Sequence, residues 1–591
     1  MPVSNPFRLR PEEIEDLLAQ ERPWLPELSS AATSSVSGQF VLANTEALMH
    51  HISAIPATGY TAYRRFRLDG DRRQYEDPYF LKREHLSAAV LRCFLGQDSL
   101  KDIIQDIIWN ICEETNWVLP AHEERPIDLF AAETALLLAE AQALLGSRLD
   151  AEVRHRIRHE VDRRVFEPYL RYHQSLGWYK GGNNWNGVCN SSVAAAFLWL
   201  EPDPSRRAQG LAVALDGLRV FLETAFEKDG SSTEGVAYWH YGLMNFVVLA
   251  EMLHARSAGT IDLLGSDRMR RIAAYPARMQ LAGPTFASFS DCHEVVAFNP
   301  GIITRLAART REQSLLNLLA KPAAPAHDWR LTMMLRNLLW WDGSQPDATA
   351  LMDAYLPDAG TARLTAMTPG GIPVVVAIKA GHNGENHNQN DVGSFIVNAD
   401  GENLLTDPGP GLYSRQYFST QRYENIFANS YGHSVPRIGG RLQGTGIEYA
   451  GRMLSVSTLQ STKTVAISFA HAYPVNELRS ARRVMQVATT GEHAGAVWLQ
   501  DEFEFTQHAA AVEEAFVTWC EVECSGSSAT IHGEKHDCRM TIESPAELQF
   551  QLEPLTEQSH ANAMDRVLKR ITAALPSAST SQVRIRIELI E

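Results

Sequence analysis

The stretch GENHNQNDVGSFIV, residues 384–397, carries His387, Gln389 and Asp391 at alternate positions, just before an apolar run that is typical of a β-strand. Side chains two apart in a strand lie on one face, so an imidazole, an amide and a carboxylate would converge on one small volume. This spacing indicates a site. The alternative is a polar strand edge or loop without a chemical role.

A second polar segment, KGGNNWNGVCN at 180–190, places asparagines and a tryptophan immediately before the helical stretch SSVAAAFLWL. Asparagines at the start of a helix often serve only as caps. The amides of Asn183 and Asn184 beside the indole of Trp185 also suit a sugar, because the ring offers an apolar face and the amides offer donors to a carboxylate or to hydroxyls. These three residues are therefore candidate site residues.

A third segment, DGSSTEGVAYWHYG at 229–242, groups Glu234, Tyr238, Trp239 and His240 around the start of another predicted helix. Aromatic residues at this density also form cores. The combination of a phenol, an imidazole and a carboxylate after a Gly-Ser loop indicates a site, and these four residues are candidates for catalysis or substrate binding.

A fourth segment, at 404–441, places charged and imidazole side chains in loops between predicted strands. A purely structural role needs no such residues in loops, whereas binding and catalytic residues often lie there. The candidates are Asp407, Arg415, Arg422 and His433.

The apolar pattern that must position these residues is helical from about 85 to 340. One helix face is predicted to contain Ile103, Ile104, Ile107, Ile108 and Ile111, and residues 129–146 form a second helix ended by a glycine. Further helices are predicted near 150–165, 188–200, 208–227, 240–257, 266–280, 301–319 and 328–340. This succession favours antiparallel hairpins stacked as a toroid or solenoid.

After Pro357 the chain changes to short β-rich runs separated by Gly, Asn, Asp and Pro, which predict a β-sandwich. Val583, Ile585, Ile587 and Leu589 alternate cleanly. The sequence therefore predicts two domains, a helical one at 1–355 and a β one at 356–591.

Composition limits the function further. The 591 residues are 45% apolar and 21% charged, which is typical of a folded protein. A net charge of −16 argues against nucleic-acid binding.

No run reaches the roughly 18 apolar residues of a membrane span, so we expect no membrane partner. No leader is visible, so a cytoplasmic location is expected, or a periplasmic one if a leader was trimmed. The seven cysteines, at irregular spacing, fit reduced thiols.

The order of these motifs resembles the heparinase II/III-like polysaccharide lyases. The matching motifs are N-N-W-N, E-G-x-x-Y-W-H-Y, N-H-N-x-N-D-V-G-S-F, T-D-P-G and N-S-x-x-H-S-V-P, and they cover roughly residues 170–445. The resemblance implies an incomplete (α/α) toroid followed by an antiparallel β-sandwich. It also implies β-elimination at a uronic acid of a polysaccharide or oligosaccharide, leaving an unsaturated uronyl end.

Position by position, the resemblance gives Asn184, or Asn183 if the register shifts, as the amide that binds the uronate carboxylate. Tyr238 matches the phenol that acts as acid, and in some members as base too, and His387 matches the histidine opposite it. A phenol has an ordinary pKa of about 10, so a basic role would require neighbours that lower it. The predicted substrate-binding residues are Asn183, Trp185, Glu234, Trp239, His240, Arg415 and Arg422.

Many relatives bind a structural zinc through a histidine, an aspartate and a later histidine, which correspond to Gln389, Asp407 and His433 here. An amide is a weak ligand for zinc, so the site is expected to be empty, to hold a more oxygen-loving ion, or to be replaced by hydrogen bonds from the amide to Asp407. We therefore expect no required cofactor and at most a weakly held divalent ion. Two rival functions stay open. One is a glycoside hydrolase using Glu234 and Asp391 on the same scaffold, and the other is a carbohydrate-binding protein without activity. The oligomeric state is not predicted.

Overall fold

The computed structural model describes residues 2–20, 33–123, 125–320, 330–347, 349–506 and 510–590. Contacts within the chain define two compact units. The first takes its residues from Met1–Phe226, Trp239–Ala273 and Ala297–Pro346, and the second from Glu227–Tyr238, Ala274–Val296 and Asp347–Glu591. The two short segments at 227–238 and 274–296 therefore belong with the β-rich part, a division that hydrophobic periodicity alone does not reveal.

The first unit is helical. The helices up to the start of the β-rich region are α1 Pro11–Leu17, α2 Val36–Met49, α3 Tyr60–Tyr63, α4 Arg65–Asp69, α5 Arg73–Phe94, α6 Lys101–Glu113, α7 Leu129–Leu145, α8 Ala151–Val161, α9 Glu167–Tyr172, α10 Asn184–Leu200, α11 Pro204–Thr224, α12 Val236–Arg256, α13 Asp267–Met279, α14 Pro300–Thr310, α15 Asn317–Ala320 and α16 Leu331–Trp340. Helices α12 and α13 each have one end assigned to the second unit.

The predicted helices correspond to observed ones, with differences at their ends. In α7 the carboxylate of Asp128 caps the helix by accepting from the Ala131 amide, and the helix ends at Gly146, whose φ is 53°. The helix predicted at 301–319 is divided, because Arg311 after α14 takes a left-handed conformation with φ 59° and ends it. The helix predicted at 328–340 begins at Leu331, and residues 328 and 329 lie outside the described residues.

Helix α7 also bears on the membrane prediction. Within the described part of the chain, the stretch Leu129–Arg148 is long and apolar enough to cross a membrane, so the expectation that no run would approach this limit is wrong. The most apolar window of this stretch is 78% buried inside the protein. Core helices of globular proteins pass the same test, and α7 has the burial of such a helix.

The second unit is built on antiparallel strands. They are β1 Gln280–Ala282, β2 Thr285–Phe286, β3 Ala354–Leu356, β4 Thr361–Met367, β5 Pro373–Lys379, β6 His382–Asn383, β7 Phe395–Ala399, β8 Glu402–Leu405, β9 Arg437–Ile438, β10 Gly446–Ala450, β11 Arg452–Ser457, β12 Thr462–Ser468, β13 Leu478–Ala488, β14 Val497–Phe505, β15 Ala510–Thr518, β16 Glu521–Ser525, β17 Ser528–His532, β18 Asp537–Ser544, β19 Gln551–Pro554, β20 Lys569–Ala578 and β21 Thr580–Leu589, with one helix, α17 Thr556–Ala561, before β20.

These strands form three main sheets in the described residues. Their strand orders are β11-β12-β13-β14-β21-β18-β17-β16, β19-β20-β15-β9 and β3-β4-β5-β7-β8. One apolar core joins them: Val376 from β5, Met485 from β13 and Phe516 from β15 belong to the same buried cluster. In β21 the predicted alternation is confirmed, because Val583, Ile585 and Ile587 are fully buried. A helical unit and an antiparallel β unit agree with the predicted fold class.

Candidate active site

The candidate site in the second unit is centred on Asp291, a buried carboxylate between β2 and α14. It accepts hydrogen bonds from His387 Nδ1 at 2.9 Å, Tyr417 Oη at 2.7 Å, Tyr413 Oη at 3.2 Å and Arg422 Nη2 at 2.8 and 2.9 Å. Burial alone would raise the pKa of Asp291, but the His387 hydrogen bond and the Arg422 charge outweigh it and hold the pKa below its ordinary value.

His387 is held in an unusual backbone conformation. Its φ is +53°, a left-handed value that costs energy for a residue with a side chain. Its carbonyl accepts from the Asp291 amide at 3.3 Å, so main chain and side chain bind the same residue. The second ring nitrogen, Nε2, lies 3.6 Å from Glu234 Oε1. Because the Asp291 carboxylate can only accept at Nδ1, the geometry favours the Nδ1–H tautomer of the neutral ring, in which Nε2 has the lone pair.

Two phenols complete the site. Tyr238 stacks on the His387 ring with centroids 4.2 Å apart, and its hydroxyl lies 2.6 Å from that of Tyr413. Tyr413 in turn donates to Asp291, so its own oxygen is free to accept the Tyr238 proton. The order of donation is therefore Tyr238 to Tyr413 to Asp291.

The electrostatics of the phenols favour the neutral form. Burial is the largest cause that raises the pKa of Tyr238, and burial together with the neighbouring Tyr238 and Asp291 raises that of Tyr413. Both hydroxyls keep their protons at neutral pH. A phenol that acts as a base needs neighbours that lower its pKa. Here burial raises the pKa of Tyr238 more than its neighbours lower it, so Tyr238 is arranged as a proton donor.

The local chain explains how these groups meet. Gly235, just before α12, has φ +84°, and a Cβ at this position would lie 3.2 Å from Cys292 Cβ. A glycine therefore allows the segment that carries Glu234 and Tyr238 to approach the turn that carries Asp291. Ser290 precedes Asp291 with φ +64°, and the Cys292 amide donates to the Ser290 carbonyl at 2.7 Å, which closes this turn.

The predicted common strand face of His387, Gln389 and Asp391 is wrong. Residues 387–394 form a loop, and β7 starts only at Phe395. His387 and Gln389 still converge, because Gln389 Nε2 donates to Asp291 at 3.3 Å and to the Gly409 carbonyl at 2.8 Å. Asp391 instead accepts from Lys379 Nζ at 2.7 Å. The left-handed backbone at His387 breaks the alternation on which the strand prediction rested.

The asparagine-rich segment lies in the first unit at the start of α10. Asn183 is the N-cap residue, but its side chain makes no capping hydrogen bond, and Asn184 is buried. Asn186 holds the preceding loop by donating to the Tyr179 carbonyl at 3.0 Å. Trp185 has the Arg125 guanidinium 4.7 Å from its ring centre. Asn190 in turn donates to the Asn186 carbonyl at 3.1 Å, so these two asparagines are structural, and one face of the indole is covered by a cation.

Two predicted substrate-binding residues, Trp239 and His240, make hydrogen bonds within the protein. Trp239 is 1% exposed and donates its indole N–H to the Ile272 carbonyl at 2.8 Å, so it is a core residue rather than a sugar platform. His240 accepts from the Asn299 amide at 3.2 Å, and burial lowers its pKa to about 4. Both belong to the first unit, whereas Tyr238 belongs to the second.

The two predicted arginines differ. Arg415 is exposed. Arg422 binds Asp291 with Nη2, and its Nε also donates to the Asn388 carbonyl at 3.0 Å. The guanidinium therefore neutralises Asp291 instead of being open to a substrate carboxylate. Sequence reasoning missed Asp291, Tyr413 and Tyr417. The two tyrosines lie four residues apart in a segment already singled out, whereas Asp291 has no motif that points to it.

Two of the predicted metal ligands, Asp407 and His433, lie close together in the structure. Among the described residues, Asp391, Asp407 and His433 are the buried set whose ligand atoms lie within 4.8 Å of one another. His433 Nδ1 donates to Asp407 at 2.9 Å, and Nε2 lies 3.2 Å from the Phe427 carbonyl. Both acceptors require protons, so the imidazole is cationic. Burial opposes this charge, but Asp407 outweighs it and raises the pKa of His433.

These residues do not fit a divalent ion. Two buried oxygens without a hydrogen-bond partner, Asp391 Oδ2 and Gln389 Oε1, would favour one. A metal ligand must however offer a lone pair, and both nitrogens of His433 are occupied by protons. The ammonium of Lys379 is already paired with Asp391. Burial alone would lower the pKa of this lysine, but the charges of Asp391 and Glu385 outweigh it and raise the pKa. Two cations thus neutralise the two aspartates.

The comparison with solved structures supplies the fold. Heparinase III matches with a TM-score of 0.67 at 12% identity, over 98% of this chain and 89% of that chain. A heparan sulfate lyase from Pedobacter heparinus matches at 0.57 and 12% identity, over 98% and 88% of the two chains. This protein has the fold of heparinase III. A chondroitin AC lyase from Streptomyces coelicolor A3, solved with chondroitin sulphate, matches at 0.53 and 13% identity, over 98% and 82%.

The matches confirm the predicted fold class and the resemblance to heparinase-like polysaccharide lyases at the level of fold. No protein-family model and no curated protein sequence matches the chain. At such low identity, residue roles must be argued from this chain's own site.

Proposed function

We propose that the protein is a polysaccharide lyase that cleaves a uronate-containing glycan by β-elimination. The observation that carries the proposal is the stack of Tyr238 on His387, with a phenol beside an imidazole whose Nδ1 is held by the Asp291 carboxylate, an arrangement that leaves Nε2 for a base. An acid and a base in van der Waals contact match the two proton transfers of an elimination. The shared fold of solved heparan sulfate and chondroitin lyases supports the same reaction class.

In the proposed reaction His387 Nε2 removes the proton from C5 of the uronate. The electron pair of the C5–H bond forms the C4–C5 double bond, and the C4–O bond to the leaving sugar breaks. Tyr238 gives its hydroxyl proton to the departing oxygen, so one proton is taken up and one is released. Return of the proton from the imidazolium to the phenolate restores the site.

Tyr238 is suited to the acid role by its hydrogen bond to Tyr413. Tyr413 accepts from Tyr238 in the resting state and, because its own proton is shared with Asp291, it can turn that proton toward a Tyr238 phenolate. A donor ready for the developing charge stabilises the transition state more than the ground state. The phenol therefore stays neutral before the reaction and is stabilised as an anion during it.

The uronate carboxylate also needs a partner, because C5–H is otherwise far too weakly acidic. The motif resemblance assigns this role to the amide of Asn184, which lies in the first unit at the start of α10. A donor to that carboxylate becomes more important as charge builds up on it. This assignment rests on sequence, and Asn184→Ala tests it separately from the proton-transfer residues.

The hydrolase alternative has less support. It requires two carboxylates that reach the glycosidic bond. Asp391 has no exposed surface and is paired with Lys379, so it has no route to a substrate in this structure. The binding-protein alternative predicts tolerance of changes at Tyr238, which the first experiment of the Discussion examines.

The direct test uses a panel of alginate, glycosaminoglycan, gellan-type and ulvan-type oligosaccharides, with ultraviolet absorbance of the new double bond as the readout. A lyase gives a chromophore with at least one uronate glycan, and reduction of the uronate carboxyls to alcohols abolishes it. Cleavage without a chromophore would show a hydrolase, and binding without cleavage would show a carbohydrate-binding protein.

A further inference from the structure

The carboxylate of Asp291 has more hydrogen-bond donors around it than it has acceptor positions. It accepts from the side chains of His387, Gln389, Tyr413, Tyr417 and Arg422. A carboxylate offers about four acceptor positions, so the five donors over-determine where it lies. Its side chain has no exposed surface and reaches no solvent. Such a group cannot touch a sugar, but it can fix the groups that do.

The charge on this carboxylate is balanced inside the protein. The Nη2 atom of Arg422 binds both oxygens of Asp291, while Nε donates to the Asn388 carbonyl and Nη1 to the Tyr417 carbonyl. An unpaired buried carboxylate would be costly. The arginine therefore allows an ionised carboxylate to stay buried beneath His387.

The backbone of the same region shows that the arrangement is held against strain. His387 and Ser290, the residue before Asp291, both have left-handed φ values, +53° and +64°. Such a conformation is unfavourable for a residue with a side chain and persists only where surrounding contacts enforce it. The contacts here are the amide of Asp291 on the His387 carbonyl and the ring nitrogen of His387 on the Asp291 carboxylate.

We propose that Asp291 is the positioning residue of the site: it selects the Nδ1–H tautomer of His387, aims Nε2 at the substrate, and orders the protons along Tyr238 and Tyr413. This inference rests on the proposed elimination, in which Nε2 must accept the C5 proton. Without the carboxylate the imidazole has no fixed tautomer, and an Nε2–H ring cannot act as a base. Tyr413 would also lose the acceptor that makes it accept from Tyr238.

The decisive variant is Asp291→Asn, which keeps the shape and removes the charge. The amide can present its NH₂ group to Nδ1, which reverses the tautomer. In Ser-His-Asp sites the same change leaves the geometry intact, selects the wrong tautomer and lowers turnover by about 10⁴-fold. We expect kcat to fall by about 10²–10⁴-fold, the range of one general acid–base group, with KM changed by less than a few fold.

The tautomer itself is read by long-range ¹⁵N–¹H NMR on protein labelled at histidine, with the His387 signals assigned by their loss in His387→Gln. Wild type should show Nδ1–H, and Asp291→Asn should show Nε2–H or a mixture. Wild type with Nε2–H would overturn the proposal whether or not Asp291→Asn folds. So would a folded Asp291→Asn that keeps the wild-type tautomer and more than a tenth of kcat.

Two controls separate positioning from general stability. Asp353→Asn changes another largely buried aspartate of the second unit, which pairs with Lys463 at 2.8 Å and accepts from Thr365, neither of which is a residue of the site. It should lower the melting temperature without altering kcat or the His387 signals. Asp291→Glu keeps the charge and should retain the Nδ1–H tautomer. If no glycan is cleaved, the proposed function fails, and the NMR result still decides the role of Asp291.

Discussion

Replacing Tyr238 by phenylalanine is the sharpest test of the proposed chemistry. The change removes one hydroxyl and leaves the ring that stacks on His387 at 4.2 Å. If the phenol gives its proton to the leaving oxygen, kcat should fall by about 10²–10⁴-fold. At about 1.36 kcal/mol per tenfold, this is about 2.7–5.4 kcal/mol of lost transition-state stabilisation. Affinity should change by no more than a few fold, because the hydroxyl is asked to move a proton and not to hold the sugar.

The effect on stability should be much smaller. Tyr238 makes one hydrogen bond, 2.6 Å to Tyr413, and Tyr413 keeps its bond to Asp291 when the partner is lost. One neutral hydrogen bond contributes about 1 kcal/mol net. The variant should therefore fold, bind the oligosaccharide in calorimetry, and fail to produce the ultraviolet chromophore.

Tyr473→Phe is a matched control in the same unit. Tyr473 is buried and donates to the Pro436 carbonyl at 2.5 Å, so its loss carries a similar structural cost. This variant should lose a similar amount of stability and keep wild-type kcat. Retention of more than a tenth of kcat by Tyr238→Phe would remove the phenol from the mechanism and favour the binding-protein alternative.

Four further outcomes are expected. Asn184→Ala should lower kcat/KM sharply through kcat; an effect confined to KM in steady-state assays would make Asn184 a simple binding residue. Prolonged EDTA treatment should leave activity and melting temperature unchanged. Elemental analysis should find zinc in the Gln389→His protein only when Lys379→Met is added. One tightly held zinc in the untreated protein would contradict both expectations. Because the pKa of Asp291 is lowered on folding, its contribution is present above its ordinary pKa of about 3.9 and lost as pH falls through the folded value. As the pH falls below about 4, the free energy of unfolding measured in urea should therefore decrease more for wild type than for Asp291→Asn.

The elements were predictable from sequence where one face of a long segment is buried. The helix α6 buries Ile104, Ile107, Ile108 and Ile111, and the strand β21 buries alternate residues. In both elements the spacing of apolar residues in the sequence matches the spacing of buried residues in the structure. The loop that carries His387 has no such burial pattern to follow. Its alternating polar residues imitate a strand, and the conformation is set by contacts with Asp291, which lies 96 residues away along the chain.

The same limit applies to neighbours within one element. Tyr238 and Trp239 are adjacent in α12, and both were candidate site residues. In the structure one joins the second unit through Tyr413 and His387, while the other is fixed in the first unit through the Ile272 carbonyl. An aromatic-rich motif shows that a helix start is packed on several sides. It does not show which ring faces which partner, because this depends on residues far away in sequence.

Gln389 shows how two parts of the second unit depend on each other. A histidine at this position would serve a metal, whereas the amide donates to Asp291 and to the Gly409 carbonyl and so supports the candidate site. The positive charge that a metal would bring is supplied by Lys379 beside Asp391 and by protonated His433 beside Asp407. An amide at 389 and an ammonium at 379 are thus one consistent solution: the cations neutralise the aspartates from within the chain, and residue 389 is free to help hold the carboxylate that orients His387.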